Sequence, residues 1–272
     1  MNYGVAFVYL DNQALSWTGT VPNDIRFTKS DGTTELDYWI ESSDADTAQV
    51  WIEFDSIPAS PDDGTFYLYY GDDDATDASN GADTFPLFDD FSGDLSLWDI
   101  TGTVNIVSGI CQLTGANSAI DSKTQFGLGY SVRTYAKTVT IGSYGTAAQW
   151  RNQPETVYAR LTNNSAVSAV YEIANDQIGA TVTTLEQSTA YHIREISRIA
   201  SNNVKYCADN ALLTTRTTNP TSADRASVRG EGKDIHIDWI LVRKITAIEP
   251  TWEDWGGEET AGFAHSFGTI IG

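Results

Sequence analysis

The sequence predicts an all-β protein made of two tandem antiparallel β-sandwiches. Three observations predict it. Apolar and polar residues alternate along most of the chain, and no useful stretch has the 3.6-residue period of a helix. Clusters of Gly, Pro, Asn and Asp cut the chain into short runs at regular spacing. An acidic run of small residues, Gly71–Asp83, separates a first segment from a second with a different rhythm. The expected organisation is a sandwich over residues 1–83, a larger one over 84–256, and a Gly-rich tail over 257–272.

Within the first segment, Tyr3–Leu10 is a strand, followed by a loop carrying Trp17 and Pro22. Asp24–Thr28 is a short strand with Ile25 and Phe27 on one face, closed by the turn Ser30-Asp31-Gly32. Leu36–Glu41 and Ala48–Phe54 alternate and read as an antiparallel pair, and Thr65–Tyr70 is a further strand. The stretch Thr84–Trp98 (TFPLFDDFSGDLSLW) opens the second segment, and Asp234–Lys244 (DIHIDWILVRK) closes it. Both place Asp near Trp, and they are expected to pair in space. Between them, alternating runs occupy 103–107, 110–113, 130–141, 156–161, 166–173, 178–185, 191–199 and 203–207. The tail reads either as a frayed terminus or, with apolar Phe263, Phe267, Ile270 and Ile271, as a segment docking on a neighbouring subunit, which favours a homo-oligomer.

The net charge is −21, with a sequence pI near 4.2. There are 25 Asp against 12 Glu, and 10 Arg against 6 Lys. Short carboxylates with few lysines suit a high-salt surface, where screening relieves self-repulsion. An ordinary acidic extracellular protein is the other reading. Binding to nucleic-acid phosphates is disfavoured. No apolar run reaches membrane-spanning length, so membrane insertion is not expected, and no signal-peptide pattern is visible. Cys111 and Cys207 lie in strand-like contexts without zinc spacing, as two free thiols or one disulfide.

The first segment resembles the domain of unknown function DUF2341. The resemblance rests on DIRFTKSDGTTELDYWIES (Asp24–Ser42), VWIEFDSIPAS (Val50–Ser60) and FYLYYGDDDATDASNGADTF (Phe66–Phe85). It implies an all-β domain of archaeal or bacterial surface proteins with no established catalytic residues. Members usually begin with a strand before the one matched by Tyr3–Leu10, which would leave an open edge here. The second segment is similar to concanavalin A-like jelly rolls of the laminin-G kind. The similarity is carried by FDDFSGDLSLW, YHIREISRIASNNVKYCADNALLTT and HIDWILVRK.

Glycosidases on such a sandwich need two facing carboxylates. The laminarinase-type arrangement, two Glu on one strand with an Asp between, is absent, and no GxSxG elbow occurs. The chain is therefore expected to be no enzyme. Jelly rolls of this kind often hold calcium, and Asp89, Asp90 and Asp238 are the candidate ligands, with turn capping as their other role. Tyr144, Trp150, Tyr158 and Tyr171, with Arg151 and Asn152, are the candidate glycan platform, a role that competes with core packing. The functional expectation is a lectin-like surface protein for cell-surface glycans or glycoproteins. A virion structural protein of a virus of a halophilic archaeon fits best, located at the virion surface or outside the cell. A secreted adhesin fragment and a polysaccharide-active enzyme are the alternatives.

Overall fold

The computed structural model describes residues 4–11, 23–58, 62–72, 74–140, 145–152, 158–163, 171–175, 180–183, 188–217, 224–255, 259–261 and 263–271. The chain forms two compact units, residues 1–86 with 246–272, and residues 87–245.

The first unit begins with β1 (Gly4–Asp11), β2 (Arg26–Lys29), β3 (Glu35–Leu36), β4 (Tyr38–Ser43), β5 (Thr47–Phe54) and β6 (Asp63–Tyr70). A single helical turn, α1 (Gly81–Thr84), follows, capped by the Asn80 side chain accepting from the Ala82 N–H. The expected pairing of the fourth and fifth strands is present, and β5 also pairs with β1. Strands β1-β5-β4 make one sheet. The other contains β6, β2 and β3, together with strands from the far end of the chain. Their facing sides bury Val8, Leu10, Val50, Ile52, Phe27, Phe66, Leu68 and Ile270. Asp31 fixes the turn between β2 and β3 by accepting from the backbone of Thr33 at 2.9 Å and Thr34 at 2.8 Å.

The second unit holds β7 (Leu87–Asp89), β8 (Trp98–Val107), β9 (Ile110–Ser122), β10 (Tyr130–Thr138), β11 (Gly145–Arg151), β12 (Tyr158–Asn163) and β13 (Tyr171–Asn175). It continues with β14 (Ala180–Thr183), β15 (His192–Ala200), β16 (Asn203–Ala208), β17 (Ala211–Arg216), β18 (Arg225–Gly230) and β19 (Ile235–Lys244). Strand β7 pairs with β19, as expected for the opening and closing stretches. The strand order is β14-β13-β12-β11-β18-β9-β19-β10-β15-β16-β17.

Strand β9 is where this sheet rolls over. Residues 110–113 pair on one side with β8, and 111–113 on the other with β19, whereas 118–121 pair with β18. Between them Gly115 (φ 81°) and Asn117 (φ 65°) turn the backbone. Opposite, Gly102 sits at a bulge with φ 68°, where a Cβ would lie 2.9 Å from Ser118 Cα, so only glycine fits. The halves on either side of β9 bury Trp150, Leu161, Ile120 and Val228 against Val132, Ile196, Tyr206 and Ile237. The Trp150 indole donates across the layers to the Ile196 carbonyl at 2.9 Å.

The chain then returns to the first unit with β20 (Thr251–Trp255), β21 (Glu259–Ala261) and β22 (Phe263–Ile271). This corrects the expectation of a free docking tail. Strand β22 pairs along its length with β6, from Ala264 opposite Tyr70 to Ile271 opposite Asp63, and also with β20 and β21. Ile270 is a core residue of this unit. Among the described residues Cys111 and Cys207 are free thiols, Cys111 in the second core and Cys207 half-buried.

Candidate functional site

Strand β18 reads Arg-Ala-Ser-Val-Arg-Gly. Its even positions, Ala226 and Val228, belong to the core. Its odd positions, Arg225, Ser227 and Arg229, therefore face the other way, since successive strand residues point to opposite faces. Directly opposite residues share a face, so register extends this polar surface across the half-sheet. On one side Ser227 faces Asp121 of β9, and Asp121 faces Asp99 of β8. On the other, Ser227 faces Gln149 of β11, which faces Arg160 of β12. Flanking rows add Arg225 opposite Arg151, and Arg229 opposite Thr146.

This outer face is polar yet mostly withdrawn from solvent. Ser227, Thr146, Asp121, Gln149 and Arg151 are all buried. Arg160, Arg225 and Arg229 are reachable, with side chains 18%, 14% and 16% exposed. Asp121 lies 3.4 Å from Arg151 Nε and 3.8 Å from Arg229 Nη2, with the Ser227 hydroxyl beside it. Burial pushes the Asp121 carboxyl above the usual carboxylate range, and nearby Asp99 adds to this. Ser227, Arg229 and Arg225 pull it back without cancelling the effect. Asp99 is half-exposed and accepts from Arg225 Nη1 at 2.5 Å. Gln149 Oε1 and Thr146 Oγ1 are buried acceptors without a partner among the described residues. Such groups are costly in a fold.

The expected glycan platform divides across this sheet. Arg151 lies on the polar face. Trp150, its neighbour in the strand, lies on the core face, fully buried, with Arg198 over its ring. No sugar can stack on it, so its assignment is corrected: alternation forbids Trp150 and Arg151 from lining one site. Asn152 is half-buried at the end of β11. Tyr144 lies outside the described residues, as do the side chains of Tyr158 and Tyr171.

The proposed metal trio does not converge. Asp89 spends one oxygen on the Phe91 N–H (2.8 Å) and the other on the Trp98 indole (2.6 Å), so it acts as the turn cap. Asp90 accepts from the Ser92 N–H and lies near enough to Asp238 to raise that carboxyl further, after burial. Among the described residues no group of three or more metal-ligating side chains forms.

Sequence reading passed over Asp99, Asp121, Gln149, Ser227 and Arg229. The signal available was RASVRG, where polar residues take every second position of a strand whose other positions are apolar.

Comparison with known proteins adds to this geometry. The family model described as a domain of unknown function, DUF2341, matches residues 21–101. That match runs past the first unit into β7 and β8. No curated protein matches. Among solved structures, a Crh5 transglycosylase in complex with NAG is similar with a TM-score of 0.50 and 11% identity, covering 60% of this chain and 84% of that one. A structure from work on endo-acting O-glycanases of the human gut microbiota has a TM-score of 0.48 at 11% identity, over 59% of this chain and 99% of that one. A β-1,3-glucanase from Mycobacterium marinum has 0.45 at 10% identity, over 58% and 98%. The chain therefore has the jelly-roll fold that a transglycosylase uses. The expectation of a non-enzymatic protein, which rested on the absence of local catalytic patterns, is corrected accordingly.

Proposed function

We propose that the second unit is a carbohydrate-active enzyme that cleaves or transfers glycosidic bonds on the polar face of β8, β9, β18, β11 and β12. The observation that carries this is the directly opposed pair Asp99 and Asp121. Opposed strand residues have Cβ atoms roughly 4.5–5.5 Å apart, which suits the short carboxyl separation of retaining glycosidases, about 5–5.5 Å. The environments of the two differ in the way such a pair needs. Asp121 is buried and shifted toward its protonated form, and Asp99 is half-exposed and held by Arg225.

In this reading Asp121 gives its proton to the glycosidic oxygen as the bond from that oxygen to C1 breaks. Asp99 closes on C1 and forms a glycosyl ester. Asp121, now a carboxylate, takes a proton from an incoming water or sugar hydroxyl. The oxygen of that group bonds to C1 and releases Asp99. Water gives hydrolysis, and a sugar hydroxyl gives transfer.

The test is reducing-end release and product-length analysis on a polysaccharide panel: laminarin, agarose, alginate, polygalacturonate and carrageenan. Turnover is expected with at least one. Asp121→Asn and Asp99→Asn should each lower it by about 100-fold or more. Azide should rescue Asp99→Gly by giving a glycosyl azide. Undiminished turnover by Asp121→Asn, or no turnover on any glycan, overturns the assignment.

A further inference from the structure

In the retaining reaction one negative charge changes place between two neighbouring carboxylates. Before reaction it is on Asp99, and the proton is on Asp121. Once that proton has gone to the leaving oxygen and Asp99 has become an ester, the charge is on Asp121. The second half moves it back. A cation that serves both halves must therefore act on both residues. Arg151 and Arg229 approach Asp121, at 3.4 and 3.8 Å. Arg225 is placed differently. It stands on β18, and its Nη1 donates to Asp99 Oδ2 on β8 at 2.5 Å. Strand β9, which carries Asp121, pairs with β18 on one side and with β8 on the other. The Arg225 side chain thus crosses over β9 to reach its partner, and its charge also favours the ionised form of Asp121.

We infer that Arg225 is a positioning residue for both carboxylates, holding Asp99 while Asp99 carries the charge and following that charge to Asp121 once the glycosyl ester forms. The inference rests on the proposed glycosidic role of the same face. An ester oxygen is a weaker acceptor than a carboxylate, so formation of the ester releases the guanidinium from Asp99. Asp99 and Asp121 are directly opposed, with Cβ atoms about 4.5–5.5 Å apart, so the shift is short and stays over the same two strands. The Arg225 side chain is 14% exposed, so its outer end is not locked in the core. The other charged groups facing Asp121 are Asp99, which opposes its ionisation, and Arg151 and Arg229, which favour it. Arg160 and Glu231 pair with each other further along the face.

The experiment uses the whole chain and follows kcat and kcat/KM against pH. The substrate is the polysaccharide that the unaltered chain turns over fastest among laminarin, agarose, alginate, polygalacturonate and carrageenan. Removing a cation that favours ionised Asp121 keeps that group protonated to higher pH. The alkaline limb of Arg225→Gln should therefore move up by about half a pH unit or more, and kcat should fall by roughly 10- to 100-fold. Arg225→Lys keeps the charge but not the planar fork, so its alkaline limb should return toward that of the unaltered chain while kcat stays below it. Arg160→Gln removes an arginine of β12 that pairs with Glu231, and should leave the limb where it is. Circular dichroism confirms that the variants remain folded. An alkaline limb that stays in place in Arg225→Gln, or that moves equally in Arg160→Gln, overturns the inference and leaves the glycosidic reading standing. Turnover of no glycan by the unaltered chain removes both.

Discussion

The second unit has two outer faces, one on each side of its core, and both bury a carboxylate among arginines. On the half-sheet of β10, β15 and β19, Glu195 is closed on every side. Arg243 donates from Nε and Nη2 at 3.0 and 2.8 Å, Arg133 Nη1 at 2.7 Å, and the Ser131 hydroxyl at 2.8 Å. Arg133 is itself held by Asn210 at 2.6 Å. On the half-sheet of β9, β18 and β11, the contacts of Asp121 with Arg151 and Arg229 are 3.4 and 3.8 Å, and two buried acceptors on the same face, on β11, lack partners among the described residues. The electrostatic outcome differs in sign. Burial alone would raise Glu195, but Arg243 and Arg133 outweigh it and hold the carboxyl down at about 2. Around Asp121 burial prevails and the carboxyl is raised. The same residue types make a tightly paired cluster on one face and a more loosely paired one on the other.

The largest effect separating the two faces should come from removing each carboxylate. Glu195→Ala leaves two buried guanidiniums without their anion and is expected to destabilise by about 3–5 kcal/mol. Asp121→Asn, whose contacts are longer, should lose less than half of that while lowering turnover by about 100-fold or more. Chemical denaturation of both variants measures it. Comparable losses would show that Asp121 is structural too, and the contrast between the faces would fail.

Acid should sharpen the same contrast. The ordinary Glu value is 4.5, and Glu195 lies near 2 in the fold. A carboxyl with a depressed folded pKa adds stability above its unfolded pKa, and this stability is lost as pH falls through the folded value. Glu195 should therefore hold its contribution above about pH 4.5 and lose it between there and about pH 2, on the order of 3 kcal/mol in all. In Glu195→Gln that segment of the stability curve should flatten. Asp121 should report through rate instead. As the general acid with a raised pKa, it should make turnover fall as pH climbs through a value above the ordinary 3.8.

How much of this was legible follows from the distance over which each feature is encoded. Period-two alternation is local, so most strands and both sandwiches can be read directly. The pairing of Leu87–Asp89 with Ile240–Val242 was readable because both stretches carry the same Asp-and-Trp theme. The last strand was not. Phe263–Ile271 alternates no better than a frayed end, and its partner β6 lies some 200 residues earlier, so only the folded sheet supplies the register. The site failed for a related reason. A search for carboxylates spaced along one strand cannot find Asp99 and Asp121, which meet across the β8–β9 hairpin. The pairing of Trp150 with Arg151 on one platform was a different kind of miss, since alternation already assigns adjacent strand residues to opposite faces.

The finest test exchanges one hydroxyl on each face. Ser131 Oγ is fully buried and donates to Glu195 Oε1, so Ser131→Ala removes a charge-assisted hydrogen bond and should cost about 1–3 kcal/mol. Thr146 is just as buried, but its Oγ1 has no partner among the described residues. Thr146→Val keeps the shape and deletes only the hydroxyl. Where the lost group was unsatisfied, the change is neutral or stabilising, because the unfolded chain alone loses hydration. The melting temperature of Thr146→Val should therefore stay level or rise. A loss of stability equal to that of Ser131→Ala would mean that Thr146 is already satisfied in the fold, and the polar face would then be as closed as the one around Glu195.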